Sequence, residues 1–172
     1  MADWFSTHPF SPLRLRAMQL YFASKLAQPK GGSVSKLEAG VQELMSLMEP
    51  SYLKEKSEEA EIARRLLFAA ALAVADQSDG IGDAEIAAFE KLFGEGSFAP
   101  QLDIQGIEAS LEERLKEASQ QVSHPRRIQI LRDLCFVARA DGAVSEEERA
   151  VIEHVAEVLE VAPEFVQEQT SD

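Results

Sequence analysis

The chain has 172 residues, 45% of them hydrophobic, a formal net charge of −13 and a pI near 4.7. That length fits one globular domain with room for a second small piece. Nucleic acid is excluded as a partner because its phosphates need a basic face, whereas metal cations and basic partners stay open.

Cys135 is the only cysteine, so no intrachain disulfide can form. Its apolar surroundings predict a buried, inert thiol. The longest uncharged apolar run, 66–75, falls far short of the ~20 residues that cross a bilayer. No membrane span and no signal-peptide pattern is expected, which fits a protein of the cytoplasm or of the cytoplasmic side of a membrane.

In chain order, Ser11 and Pro12 start a helix with Leu13, Ala17, Leu20, Tyr21 and Ser24 at helical spacing. Residues 28–35, with Pro29 and a Gly31-Gly32 pair, read as a flexible linker. Ser35 and Glu38 form an S-x-x-E capping box that opens a helix with Leu37, Val41, Leu44, Met45 and Met48 on one face. The two methionines are expected as core filler, and Pro50 stops the helix. Residues 51–56 would add a turn. A long helix begins at Ser57, with Glu58, Glu59 and Glu61 where the helix dipole favours acids. It carries Ile62, Leu66, Ala69, Ala70, Ala73 and Val74 and is the expected central buried helix.

An Asp79-Gly80 elbow and a short helix follow, then an irregular crossing over 94–100 with Phe98 tucked inward. Asp103 is the expected cap of an amphipathic helix that holds Ile107, Leu111 and Leu115 and runs to about Val122. After Ser123-His124-Pro125, the stripe Ile128, Leu131, Leu134, Cys135 and Ala138 marks the next helix. Val151, Ile152, Val155 and Leu159 mark a helix over 146–160, and Phe165 docks one last turn. No sustained alternation signals a strand. An all-α bundle of seven or eight helices is predicted.

Residues 65–93 and 127–160 repeat one order of parts: an apolar helix, Asp-Gly, one β-branched residue (Ile81 or Val144), a cap, and a glutamate one turn in. This is the mark of an internal duplication. Glu85 aligns with Glu148, Phe89 with Ile152, Glu90 with Glu153 and Leu92 with Val155, and the first elbow is one residue shorter. Asp-Gly supplies a helix-end residue that tolerates left-handed dihedrals. Ser145 and Glu148 then form a capping box, for which the first copy offers Gly82 and Glu85.

Each elbow gathers oxygen donors: Asp76, Asp79, Asp83 and Glu85 in the first, Asp141, Glu147 and Glu148 in the second. Hard divalent cations are bound by such carboxylates. The EF-hand spacing is absent, because Gly80 follows Asp79, Gln77 and Ala75 at its odd places, and Gly142 follows Asp141, Arg139 and Val137. Capping and helix dipoles account for the same acids at about 0.5–1 kcal/mol each with no metal. No histidine or serine accompanies them as a base or nucleophile, so catalysis by this chain is not expected.

Two resemblances add to this. Ala138-Arg139-Ala140-Asp141-Gly142-Ala143-Val144-Ser145-Glu146-Glu147-Glu148 is similar to the A-x-A-D-G-x-[IV]-S-x-x-E pattern of TerB-like (tellurite-resistance) domains, and the likeness spans roughly 37–159. It implies an all-helical domain of two related halves that holds a divalent metal through Asp79, Glu85, Asp141 and Glu148, with Asp76, Asp83 and Glu147 as second choices. Near the start, Phe5-Ser6-Thr7-His8-Pro9 with Arg14, Leu15 and Met18 resembles the closing motif of HtpX-like zinc metallopeptidases. No His-Glu pair occurs, and His8, His124 and His154 lie far apart, so the zinc site of such a peptidase is absent. The implied organisation is a peptidase tail at 1–27, a linker at 28–35 and a TerB-like domain at 36–172. An attached peptidase domain is then the expected partner, with a protein partner or a homodimer through the first helix as further expectations. Three readings stay open: a metal-responsive module regulating a peptidase, a metal-free helical interaction module, and a stranded piece of the peptidase itself.

Overall fold

The computed structural model describes residues 11–77, 81–98 and 103–170. Among them are nine α-helices and no strand: α1 (Ser11–Ala23), α2 (Val34–Ser46), α3 (Glu58–Ala75), α4 (Asp83–Phe93), α5 (Ile104–Ala109), α6 (Leu111–Gln121), α7 (His124–Ala138), α8 (Glu146–Val158) and α9 (Pro163–Thr170). None of them is long and apolar enough to cross a membrane. The predicted all-α bundle is the observed architecture. The added helix comes from the expected 103–122 segment, which turns at Ser110. There Asp103 Oδ1 accepts from the Gly106 amide (3.0 Å), Gly106 is a poor helix former, and the Ser110 hydroxyl donates back to the Ile107 carbonyl at 2.6 Å.

Helix α3 is the centre, as its sequence predicted. Ser57 caps it by accepting from the Ala60 amide (3.2 Å), and Ile62, Leu66, Ala69, Ala70, Ala73 and Val74 are all buried. Small side chains on several faces let α6, α7 and α8 pack against it at once. Leu115, Leu131, Leu134, Ile152, Val155 and Leu159 close the core around it. Phe98 packs edge-on against Phe89 (5.9 Å between centroids), and Phe165 on α9 is buried.

Two expectations are corrected. Helix α2 is capped by Ser33, whose hydroxyl accepts from the Lys36 amide (3.1 Å), and not by Ser35. Ser35 instead hydrogen-bonds Glu164 on α9, beside the Lys36–Glu168 ion pair (2.8 Å). Met45 and Met48 are about half exposed rather than core filler, because α2 turns Ala39, Gly40 and Ser46 inward. Residues 51–56 form the expected turn, the Glu55 amide donating to the Tyr52 carbonyl (3.3 Å); Tyr52 is buried and donates to Asp133 (2.8 Å), while Arg64 Nη1 donates to the Tyr52 and Glu55 carbonyls.

The segment between α1 and α2 folds back on itself. The Lys25 amide donates to the Gly32 carbonyl (2.8 Å) and the Gly32 amide to the Ala23 carbonyl (2.8 Å). Gly31 sits so close that a Cβ there would lie 2.2 Å from the Ser24 carbonyl carbon, so only glycine fits. Helix α1 leans on α2, Leu20 lying over Gly40, yet Leu15, Met18 and Phe22 remain 56–59% exposed. Tyr21, at 46%, extends that bare face.

Cys135 is buried as predicted, and burial pushes its thiol up to about 12. The thiolate is the reactive species. Folded protein should therefore resist alkylation by iodoacetamide at neutral pH and react once unfolded in guanidinium; labelling at equal rates in both states would contradict this burial.

Candidate functional site

Two elbows, each the step from a long apolar helix to an acidic one, position the candidate residues. In the second, α7 ends and Gly142 takes φ +142°, a dihedral that side chains disfavour. Ser145 then caps α8. The Ser145 amide and hydroxyl both donate to Glu148 Oε2 (2.7 and 2.8 Å), and the Glu148 amide donates to Ser145 Oγ (3.2 Å). In the first elbow the Gly82 amide donates to Glu85 Oε2 at the same 2.7 Å. Glycine has no hydroxyl to return the bond, so this cap has one arm where the other has two. The aligned glutamates thus do the same work in both copies.

That work uses one oxygen of each carboxylate. Glu85 and Glu148 are each only 3% exposed, and Oε1 of each is buried with no hydrogen-bond partner. A buried carboxylate oxygen without a partner is costly. Burial pushes the Glu85 carboxyl above its ordinary range, the Gly82 amide draws it back, and the nearby charges of Asp141 and Glu148 raise it again. The fold therefore brings Glu85, Asp141 and Glu148 into one electrostatic neighbourhood, although they come from separate elbows.

The other predicted acids fall elsewhere. Asp79 lies outside the described residues. Asp83 and Glu147 stand exposed in the first turns of α4 and α8, where the helix dipole stabilises them. Asp76 follows α3 and faces Glu108, whose carboxyl is raised by burial and by the Asp76 charge. Sequence reading missed Glu108, a half-buried acid whose Oε1 has no partner. Its signal was available, because Glu108 stands at helical spacing from Ile104, Leu111 and Leu115 in the sequence.

Among the described residues, no three of His, Cys, Asp and Glu are gathered tightly enough to hold an ion as they stand. Glu85 and Glu148 each keep one unpartnered carboxylate oxygen, the donor type that hard divalent cations take. His154 Nε2 pairs with Glu112 Oε1 at 2.7 Å on the surface, and His124 begins α7. His8 and the rest of the Phe5–Pro9 motif lie outside the described residues, while Arg14, Leu15 and Met18 sit on α1.

A family model described as tellurite resistance protein TerB matches residues 56–169, from just before α3 to the end of α9. No curated protein and no solved structure matches the chain.

Proposed function

Because the chain belongs to the tellurite resistance protein TerB family, we propose that it is a non-catalytic helical module that holds a divalent cation between its two elbows. Glu85, Asp141 and Glu148 are its ligands here, with Asp79 completing the set from the first elbow. One observation carries this reading: two buried glutamates, one from each half, spend Oε2 on a helix cap and leave Oε1 unpartnered. A cation would satisfy both oxygens and relieve the repulsion among the three acids. In its parent polypeptide the module would regulate or localise an attached zinc metallopeptidase domain. The Phe5-Ser6-Thr7-His8-Pro9 motif supports that part, which a His-Glu-x-x-His sequence upstream of Met1 would test.

Thermal unfolding with and without calcium, magnesium, manganese or zinc tests the ion site. At a hundredfold excess over its dissociation constant, a bound ion adds about 2.7 kcal/mol. The Glu85→Gln/Glu148→Gln variant keeps an acceptor at each cap but loses both charges. It should melt higher than wild type in chelator, by about 0.5–2 kcal/mol equivalent, and gain nothing from the ion. Wild type that ignores all four ions would sink the proposal.

A metal-free interaction module is the second reading, favoured by the bare apolar face of Leu15, Met18, Tyr21 and Phe22. It predicts ion-independent melting together with self-association or partner capture through α1.

A further inference from the structure

We propose that the groove between α4 and α7 docks an acidic amphipathic helix from a partner protein. The groove has a volume of ≈ 580 Å³, an apolar floor of Ala88, Cys135 and Phe136, and three cations at its edge, Lys91, Arg132 and Arg139. Among the described residues, no carboxylate lines it, and none of the three cations is in an ion pair. In a chain of net charge −13 this is a local inversion of sign.

The cations are aligned by neutral groups that leave donors to spare. Arg132 Nη2 donates to the Ser46 hydroxyl, Arg139 Nη1 donates to the Gln169 carbonyl at 3.1 Å, and Lys91 Nζ stands 4.7 Å from the centre of the Phe136 ring. A guanidinium carries five N–H donors, so each arginine can still grip a carboxylate. Phe136, beneath Lys91, is still 39% exposed.

Spacing selects the shape of the occupant. Arg132 is on α7 and Arg139 is the residue that caps its C-terminal end, seven residues later and about 10 Å further along the axis. A helix with carboxylates two turns apart, and leucines between them, matches both arginines while its apolar side chains reach Phe136 and Ala88. Helices α4 and α7 form the walls, Gln169 of α9 closes one end, and the described residues offer no sheet edge to extend, which suits a docked helix rather than an extended strand. An anionic membrane fits less well, because the groove is concave and the rest of the molecule is acidic and would be repelled. This docking does not require ion binding at the elbows.

The test is fluorescence anisotropy of a labelled peptide of Glu, Leu and Ala, with glutamates two turns apart flanking leucines. It is titrated with the full chain in chelator, so that failure of the ion site leaves the result unaffected. Saturable binding is expected, weakening as sodium chloride is added. The Lys91→Glu/Arg139→Glu variant should bind about tenfold more weakly or worse. Ala87→Trp, which fills the slot from exposed helix surface without changing charge, should also weaken binding, with unchanged circular dichroism in both variants. Several results would overturn the proposal: no saturable binding at low salt, equal binding by the variants, or equal binding of a peptide with lysines for glutamates. So would sedimentation with phosphatidylserine vesicles in place of peptide binding, or a dimer of the chain that the peptide cannot displace.

Discussion

Leu66→Ala should lower the stability of the fold by about 3–4 kcal/mol, on the order of 10 °C in melting temperature for a chain of this length. Leu66 is fully buried on α3, and α6, α7 and α8 all lean on that helix. Ala63, Ala69 and Ala70, one turn away on α3, have no long side chain to swing into the vacated space, and Ile62 is itself held buried. The cavity stays open, which places the loss toward the upper part of the range. Ala70→Leu probes the same feature in reverse: its extra carbons would meet closely packed neighbours, at a cost of about 1–3 kcal/mol. Thermal and urea unfolding followed by circular dichroism reads both. Unchanged midpoints in the pair would remove α3 from the centre of the bundle.

Arg126→Ala is the second large loss, about 2–3 kcal/mol. Arg126 is 4% exposed; its Nη2 donates to Glu55 Oε2 at 2.7 Å and its Nη1 lies 3.5 Å from Glu59 Oε2. Glu59 Oε1 also accepts from the Ser123 amide (2.8 Å) at the start of α7. Removing the guanidinium leaves a hole between two like charges. Both glutamates are about one-third exposed, so water partly replaces the lost partner and the cost falls below that of a fully buried pair.

The variant also has a pH signature. The Ser57 hydroxyl and then Arg126 hold the Glu55 carboxyl below its usual range. For Glu59, burial pushes upward, but the Ser123 bonds and the Arg126 charge bring it out below the usual range as well. Depressed acids contribute stability that is complete above the ordinary carboxylate range and is lost as pH falls through their lowered values. Urea midpoints against pH should therefore drop more steeply on the acid side for wild type than for Arg126→Ala. Glu85 and Asp133, whose carboxyls are raised, act in the opposite sense in both proteins and cancel in the comparison. Parallel acid limbs would mean that Arg126 does not set these carboxyls.

Local chemistry was legible in the sequence where it decides the outcome alone. Apolar stripes at helical spacing placed the long helices, and the serine-to-glutamate spacing over 145–148 placed the cap of α8. The same rule failed at Ser35, because the hydroxyl that could have capped α2 is drawn to Glu164, and Ser33 stands two residues earlier to take its place. Met45 and Met48 fit an inward stripe by spacing alone; which side of α2 faces inward is settled by how α2 meets α7 and α9. Glu85, Asp141 and Glu148 could be named as candidates from the repeat. That Glu85 and Glu148 are both buried, each with one oxygen spent and one spare, follows only from how the halves pack.

Each of those glutamates belongs to the first turn of its helix, where aligned peptide dipoles leave about half a positive charge. The field that steadies the carboxylates also opposes any cation they attract. An ion between the elbows would be held less tightly than by the same acids on loops, and it would leave sooner. Fast departure suits a part that follows a changing concentration, whereas storage demands a slow one. In kinetic terms, the capping arrangement of α4 and α8 sets how quickly the protein could forget an ion.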